Sequence, residues 1–198
     1  ARHIVVVGRA AFMQLTLRVL GIHRALAARP DIKIEVVDAG EWNTAADGYS
    51  LGARLAARPA EERPDFVIGL TDVLAAGVIS AFVDEGLNVP RDVKVAGCDG
   101  NPLAWSGPIP LTTVAPPGYE IGRKGVQLLI EQIEKRRPTK PTRVRVGSAA
   151  RPVTTVVATD DINRQETVRP FLLERWSTHN PNARNVAEVA TSDTSATA

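Results

Sequence analysis

The sequence has a single cysteine and only three histidines among its 198 residues. Because a disulfide needs two cysteines, Cys98 alone excludes an intrachain disulfide, and it also excludes a zinc centre with four cysteine ligands. The histidines, at positions 3, 23 and 179, do not follow metal-ligand spacing. We therefore expect neither a bound metal nor another cofactor.

Long apolar runs and a dominant charge are lacking as well. No segment approaches the roughly 20 apolar residues that a membrane-spanning helix needs. The 24 basic and 22 acidic residues leave a formal net charge of +2, and no stretch combines clustered Lys and Arg with aromatics as a nucleic-acid-binding surface does. The N-terminus does not resemble a signal peptide. These absences disfavour a membrane span, secretion and direct DNA binding by this chain.

Short apolar runs alternate with longer amphipathic segments, and this order is typical of βαβ units around a parallel sheet. The runs are residues 3–8, 32–37, 65–69 and 93–97. Their continuous apolar character indicates burial on both faces. The segments between them are predicted helices over residues 12–28, 44–57 and 72–85. The predicted fold class is therefore α/β.

The pattern changes in the second half of the chain. Residues 97–117 hold three glycines and five prolines, which predicts a long functional loop or an interdomain crossing without regular structure. Helical periodicity returns over residues 119–135. Further on, the sequence predicts strands at 144–146 and 153–157, a short helix at 164–176 and a disordered tail from residue 177 onward.

Polar and aromatic side chains lie near the ends of the predicted strands, where ligands bind in open parallel sheets. Arginine donates in a planar fork, carboxylates accept from vicinal hydroxyls, and an indole stacks on a sugar ring. Together they predict a carbohydrate pocket. The candidate residues are Arg18, Trp42, Thr71, Asp72 and Asp99.

Each candidate also has a purely structural interpretation. Asp72 is well placed to cap a helix, and Asp99 to stabilise its own turn. Arg18 fits a solvated helix face, and Trp42 fits a residue that packs over the sheet edge. The residues alone leave these alternatives open.

Sequence motifs for catalysis are not found. The first predicted strand is not followed by a Walker loop or a Gly-x-Gly-x-x-Gly motif, and no Gly-x-Ser-x-Gly elbow occurs. Cys98 follows a buried strand without a histidine nearby in sequence, which is typical of an inert small apolar side chain. An α/β hydrolase or transferase is therefore disfavoured.

Four segments, in order, resemble the effector-binding part of the lactose/galactose repressor family of bacterial regulators. Residues 18–26 are similar to its Arg-x-x-Gly-x-x-x-Ala-Leu helix, and residues 69–77 to its Asn-Asp-x-x-Ala-x-Gly motif. Residues 86–99 are similar to Gly-x-x-Val-Pro-x-Asp-Val-x-Val-x-Gly-Phe-Asp. The Pro-Leu-Thr-Thr-Val segment at 110–114 follows. The resemblance covers about residues 4–135.

The resemblance implies a three-layer lobe of a periplasmic-binding-protein-like clamp, with the first lobe largely missing from this chain. Residues 1–114 would form the C-terminal lobe, and 115–142 the crossing and a helix that returns to the first lobe. Residues 143–176 would supply C-terminal strands and a helix, and 177–198 the disordered tail. Because the strands that this helix packs on are not expected here, an exposed apolar stripe is predicted on it.

By the same resemblance, the effector contacts are Arg18, Trp42, Thr71, Asp72 and Asp99. Three residues of this sequence differ from the family pattern in ways that concern the ligand. Thr71 stands where the family usually has asparagine, Pro116 where a glutamine often reaches the ligand, and Cys98 where an aromatic is usual. The resemblance thus implies a sugar, polyol or nucleoside effector without naming it.

The implied protein is a cytoplasmic homodimeric regulator that binds DNA through a separate helix-turn-helix domain. A periplasmic or lipoprotein sugar-binding component of an ABC transporter is the alternative, because residues 97–103 and 152–163 also resemble that family.

Overall fold

The computed structural model of the protein describes residues 1–9, 13–39, 42–136 and 167–179. The strands are β1 (His3–Val7), β2 (Lys33–Val37), β3 (Phe66–Gly69), β4 (Lys94–Cys98), β5 (Thr112–Ala115) and β6 (Phe171–Leu173). The helices are α1 (Met13–Leu26), α2 (Ala45–Ala56), α3 (Asp72–Asp84), α4 (Leu103–Ser106) and α5 (Gly118–Arg136), with a 3-10 helix at Ala60–Glu62. All four predicted strands and all four predicted helices before residue 136 are present.

The six strands form one sheet in the order β2-β1-β3-β4-β5-β6. Strands β1 to β5 are parallel to their neighbours, and β6 runs antiparallel to β5. The predicted α/β fold with a parallel sheet is therefore confirmed. The carboxyl ends of β1 to β5 all lie along one side, which we call the carboxyl edge.

Helices cover both faces of the sheet near β1. On one face, Leu15 of α1 joins Val6 of β1 in a small apolar cluster. On the other face, α2 and α3 pack over a larger core. Fully buried side chains of this size each contribute about 1.5–3 kcal/mol, so this core anchors the sheet. Its members include Val5, Leu51, Leu55, Val67, Val78, Phe82 and Val95.

Burial on both faces holds only for part of the sheet. In β1, residues 4–7 are all buried. In β2, no residue is fully buried, so the prediction of a doubly buried strand at 32–37 was wrong. The reason is topological, because β2 is an edge strand. Its Lys33 and Glu35 fit that position, and Glu35 pairs with Arg58 at 2.7 Å.

The predicted irregular loop over residues 97–117 contains two regular elements, α4 and β5, so that prediction was also wrong. The prolines flank these elements instead of interrupting them: Pro102 immediately precedes α4, and Pro110 and Pro116 stand on either side of β5. Proline is tolerated at helix starts and strand ends, where its missing N–H costs nothing. Inside β5, the β-branched Thr-Thr-Val sequence favours a strand.

The end of the described chain differs from prediction too. Part of the segment predicted as a helix over 164–176 forms β6, and the buried Arg175 follows this strand. The chain is ordered beyond the predicted start of the tail, because Ser177 is fully buried. Its Oγ donates to the Val95 carbonyl at 2.6 Å and accepts from Thr112 N at 2.8 Å. The predicted strands at 144–146 and 153–157, and residues 180–198, lie outside the described residues.

The chain divides into two compact units, residues 1–115 with 170–198, and residues 116–169. Helix α5 belongs to the second unit. Its apolar residues are about half exposed, which confirms the predicted apolar stripe. The stripe consists of Ile121, Val126, Leu129, Ile130 and Ile133. Among the described residues, no helix has both the length and the apolar character that crossing a membrane requires.

Candidate functional site

Two of the predicted site residues meet at the carboxyl edge. The Arg18 Nη2 of α1 donates to Asp99 Oδ1, which follows β4, at 2.8 Å. The Arg18 Nη1 also donates to the carbonyl of Leu70 after β3. About a third of each charged side chain remains solvent-accessible. A single arginine thus links the ends of two neighbouring strands and still faces solvent.

The backbone at Asp99 is in an unusual conformation. Its φ is +127°, and the next residue, Gly100, has φ +66°. A side chain at position 100 would meet the Ala115 Cβ at 2.5 Å, so glycine is required there. Non-glycine residues rarely adopt positive φ, and such conformations persist where surrounding interactions enforce them. Here the Asp99 N–H is held by the Val114 carbonyl at 2.9 Å.

Thr71 is the N-cap of α3. Its Oγ1 accepts the Leu74 N–H at 3.2 Å. Because the hydroxyl acts as an acceptor within the helix, its own proton is left to donate outward. Thr71 therefore offers one donor beside Leu70, whose carbonyl holds Arg18.

Asp72 lies behind the carboxyl edge, with no solvent exposure. One carboxylate oxygen accepts from the Thr113 hydroxyl at 2.5 Å and the other from Asn101 N at 2.7 Å. The prediction that Asp72 contacts the ligand directly is revised for this reason. The alternative interpretation of Asp72 as the helix N-cap is wrong, because Thr71 occupies that position.

Trp42 lies on the loop between β2 and α2 at the same edge, with 73% of its surface exposed. Its neighbour Asn43, at φ +53°, accepts from Arg9 N at 2.7 Å and donates to the Arg9 carbonyl at 3.3 Å. Thr44 then begins α2 in a capping box with Asp47. The loops after β1 and β2 are joined in this way, and most of the Trp42 surface is exposed to solvent.

Sequence reasoning missed Thr113 and Asn43. Thr113 was part of the Pro-Leu-Thr-Thr-Val segment, but no role was predicted for its hydroxyl. Asn43 carried a usable signal, because asparagine is several-fold enriched among non-glycine residues at positive φ.

The arrangement favours binding over covalent chemistry. Burial raises the pKa of the Cys98 thiol, so the reactive thiolate is disfavoured at neutral pH. Among the residues that the structure describes, no three His, Cys, Asp or Glu side chains come together as a metal site. Asp99 keeps Oδ2 as an acceptor, next to the guanidinium that occupies Oδ1.

The family model described as a periplasmic binding protein-like domain matches residues 1–154, which is most of the chain. The chain belongs to this family.

This periplasmic binding protein-like domain is 41% identical over 71 residues to the HTH-type transcriptional repressor CytR of Escherichia coli, a match that covers 36% of this chain and 21% of CytR. It is 35% identical over 83 residues to an arabinose metabolism transcriptional repressor of Geobacillus stearothermophilus, covering 42% of this chain and 23% of that repressor. The resemblance to sugar-responsive regulators noted in the sequence is confirmed.

A solved structure of a LacI family transcriptional regulator from Arthrobacter sp. FB24, in complex with lactose, matches with a TM-score of 0.67 at 24% identity. The match covers 90% of this chain and 57% of that one. At this identity the similarity establishes the fold. The periplasmic binding protein-like domain thus spans little more than half of that structure and less than a quarter of each repressor.

Proposed function

We propose that this domain binds a small sugar-like effector at the carboxyl edge and is the ligand-sensing part of a bacterial transcriptional regulator. The observation that carries the proposal is the Arg18–Asp99 pair, which joins residues 81 positions apart at 2.8 Å and remains partly exposed. An exposed pair of this kind contributes little to stability, typically below about 1 kcal/mol. Its position, where parallel sheets bind ligands, is better explained by recognition.

The polar groups suit neighbouring hydroxyls. The free Asp99 Oδ2 accepts from one hydroxyl, and N–H groups of Arg18 donate to the neighbouring hydroxyl. The pair therefore binds a vicinal diol in a fixed orientation. Thr71 adds a single donor. Trp42 offers an exposed indole that stacks on the C–H face of a sugar ring.

The relatives support the regulatory role. Both are named as transcriptional repressors, which favours a regulator over a transporter's solute-binding protein. By the same comparison we propose a cytoplasmic, homodimeric full-length protein that binds DNA through a separate helix-turn-helix domain. The partly buried Cys98 thiol, whose pKa is raised, supports a role in binding without turnover.

A thermal-shift screen of the chain with pentoses, hexoses, polyols and nucleosides tests the proposal. At 100 times its dissociation constant, a ligand stabilises the folded state by about 2.7 kcal/mol. We expect at least one sugar-like compound to raise the Tm, and Asp99→Asn to abolish this response. Asparagine keeps the size of the side chain and tolerates positive φ, but it removes the ion pair and the charged acceptor.

Glu35→Gln is the matched control. It removes the carboxylate of another close ion pair, Glu35–Arg58 at 2.7 Å, which lies on edge strand β2. We expect this variant to change the Tm of the free chain and to respond to ligand like the unsubstituted chain. A full response in the Asp99 variant would show that the ligand binds elsewhere.

A further inference from the structure

We propose that Asp72 and Thr113 are positioning residues that lock Asp99 into its ligand-binding conformation. The inference rests on the proposed function of Arg18 and Asp99. It assigns to Asp72 an indirect role, from a buried position, in place of a direct contact.

Three consecutive backbone amides after β4 are each held by a different acceptor. Asp99 N donates to the Val114 carbonyl at 2.9 Å. Gly100 N donates to Thr113 Oγ1 at 3.2 Å, and Asn101 N donates to Asp72 Oδ2 at 2.7 Å. Two of the three acceptors are side chains. The turn that contains Asp99 is therefore shaped by Thr113 and Asp72 as well as by the sheet ladder.

The two side chains also hold each other. The Thr113 hydroxyl donates to Asp72 Oδ1 at 2.5 Å while its oxygen accepts from Gly100. Both residues are fully buried. A hydrogen bond to a carboxylate is roughly twice as strong as a neutral one, and it strengthens further in a dry interior. The pair is thus rigid enough to impose a strained conformation on the turn.

A glycine in β4 makes the connection possible. Asp72 starts α3, and Thr113 lies on β5, so the carboxylate has to pass over β4 between them. It does so at Gly97, where a Cβ would overlap Asp72 Oδ1. With any larger residue at this position, the carboxylate would lose its path to the hydroxyl.

The consequence for binding concerns the φ of +127° at Asp99. A non-glycine residue in such a conformation relaxes when its support is removed. Relaxation would turn the Asp99 carboxylate away from Arg18 Nη2. The hydrogen-bonded Asp72–Thr113 pair, which we call the lock, therefore keeps the Asp99 carboxylate oriented before the ligand binds. This lowers the entropy cost of ordering the site on binding.

The neighbouring Thr112 provides a matched control. It is a buried threonine on the same strand, but its hydroxyl contacts the backbone of Arg175 and the side chain of Thr178 and makes no bond to the Asp99 turn. Thr112→Val removes at least as many hydrogen bonds as Thr113→Val. If general loss of stability weakened ligand binding, the Thr112 variant would show it equally.

The first measurement is the dissociation constant, by calorimetry, for the best ligand of the sugar screen. We expect Thr113→Val to raise the dissociation constant about tenfold or more, because hydrogen bonds to a buried charged group are lost. Thr113→Ser keeps the hydroxyl and should stay within about threefold of the unsubstituted chain. Thr112→Val should also stay within about threefold. Equal losses in the Thr112 and Thr113 variants would overturn the lock.

Hydrogen exchange in the unsubstituted chain provides a test that needs neither ligand nor a folded variant. The amides of Gly100 and Asn101 should exchange at least about tenfold more slowly than in an unstructured peptide, although they lie in a surface turn. Exchange at unprotected rates would rule out the lock even if a sugar binds. Protected amides in a chain that responds to no sugar would instead refute the proposed function alone.

Discussion

Two aspartates at the ends of adjacent secondary-structure elements have opposite environments in this domain. Asp99 is partly exposed and shares one oxygen with Arg18. Asp72 has no exposure, and protein groups occupy both of its oxygens. The same side-chain chemistry therefore serves recognition in one case and positioning in the other, and depth below the surface makes the difference.

A third aspartate, Asp92, gives a prediction on pH. Its Oδ2 accepts from the backbone N–H of Asn88 at 2.8 Å and from its side-chain amide at 2.9 Å. These hydrogen bonds, the backbone one first, lower the pKa of Asp92 from its ordinary value of 3.8 to about 2. A depressed carboxylate pKa stabilises the fold above the unfolded-state pKa, and this contribution is lost as the pH falls through the folded-state value.

We therefore expect Asp92→Asn to lower the Tm at pH 7, with the difference from the unsubstituted chain shrinking between about pH 4 and pH 2. Thermal unfolding of both proteins across this range checks the prediction. A Tm difference that stays constant down to pH 2 would contradict it.

At the scale of elements, the turn after β6 holds the amino-terminal ends of β4 and β5. The Ser177 hydroxyl donates to the Val95 carbonyl and accepts from Thr112 N, while the Ser177 backbone accepts from Val95 N and donates to the Pro110 carbonyl. Next to it, the Arg175 guanidinium stacks on Trp105 at 3.5 Å from the ring centroid. These contacts explain why two polar residues of this short segment, Arg175 and Ser177, are buried.

Ser177→Ala should lower the free energy of unfolding by about 2 kcal/mol or more. The substitution removes the hydroxyl that bonds to both the Val95 carbonyl and the Thr112 N–H, and a buried polar group that loses its partner costs about 1–3 kcal/mol. Urea-induced unfolding, followed by circular dichroism, provides the measurement.

Ser80→Ala is the matched control, because the Ser80 hydroxyl bonds to the Ala76 carbonyl on an exposed face of α3. Its effect should stay within about 0.5 kcal/mol. Similar losses in the two variants would contradict a special role for Ser177.

At the scale of the whole molecule, the chain pairs a well-packed sheet unit with a helix that exposes an apolar stripe. Leu129 and Ile133, one helical turn apart on α5, are 56% and 58% exposed. Contiguous exposed apolar surface of this kind binds hydrophobic dyes and promotes association.

Replacing Leu129 and Ile133 together by glutamine should lower the fluorescence of a bound hydrophobic dye and leave the Tm nearly unchanged. Exposed apolar side chains contribute little to folding, typically within about 0.5 kcal/mol. Glu134→Gln, a polar change on the same helix, should leave dye binding as it is. Unchanged fluorescence in the double variant would show that the stripe is covered in solution.

Much of the fold could be predicted from local pattern. The apolar runs and amphipathic segments correctly located β1 to β4 and the helices α1, α2, α3 and α5. The errors occurred where pairing with a distant strand, and not the local pattern, determines the secondary structure. The segment 164–176 has helical character, but pairing with β5 makes residues 171–173 a strand. Likewise, β5 lies in a proline-rich stretch whose prolines stand just outside it.

The candidate site was predicted in part for a related reason. Parallel topology brings Arg18, Thr71 and Asp99 to one edge, and the sequence order of strands is enough to infer this. The depth of Asp72 does not follow from the sequence order, because it depends on the space above Gly97. The partners of Thr113 and Asn43 lie far away in the sequence, and no local pattern identifies them, although asparagine at position 43 is itself consistent with a positive φ.

The amino-acid sequence alone determined that this protein is a parallel α/β domain with polar groups along one edge, because hydrophobic periodicity and the alternation of strands and helices can be read from local sequence. Only the tertiary structure decided that Arg18 pairs with Asp99, that Asp72 is buried beneath them and that Ser177 joins two strands. Those outcomes depend on contacts between residues that are tens of positions apart in the sequence, and only the packing of the folded chain brings such residues together.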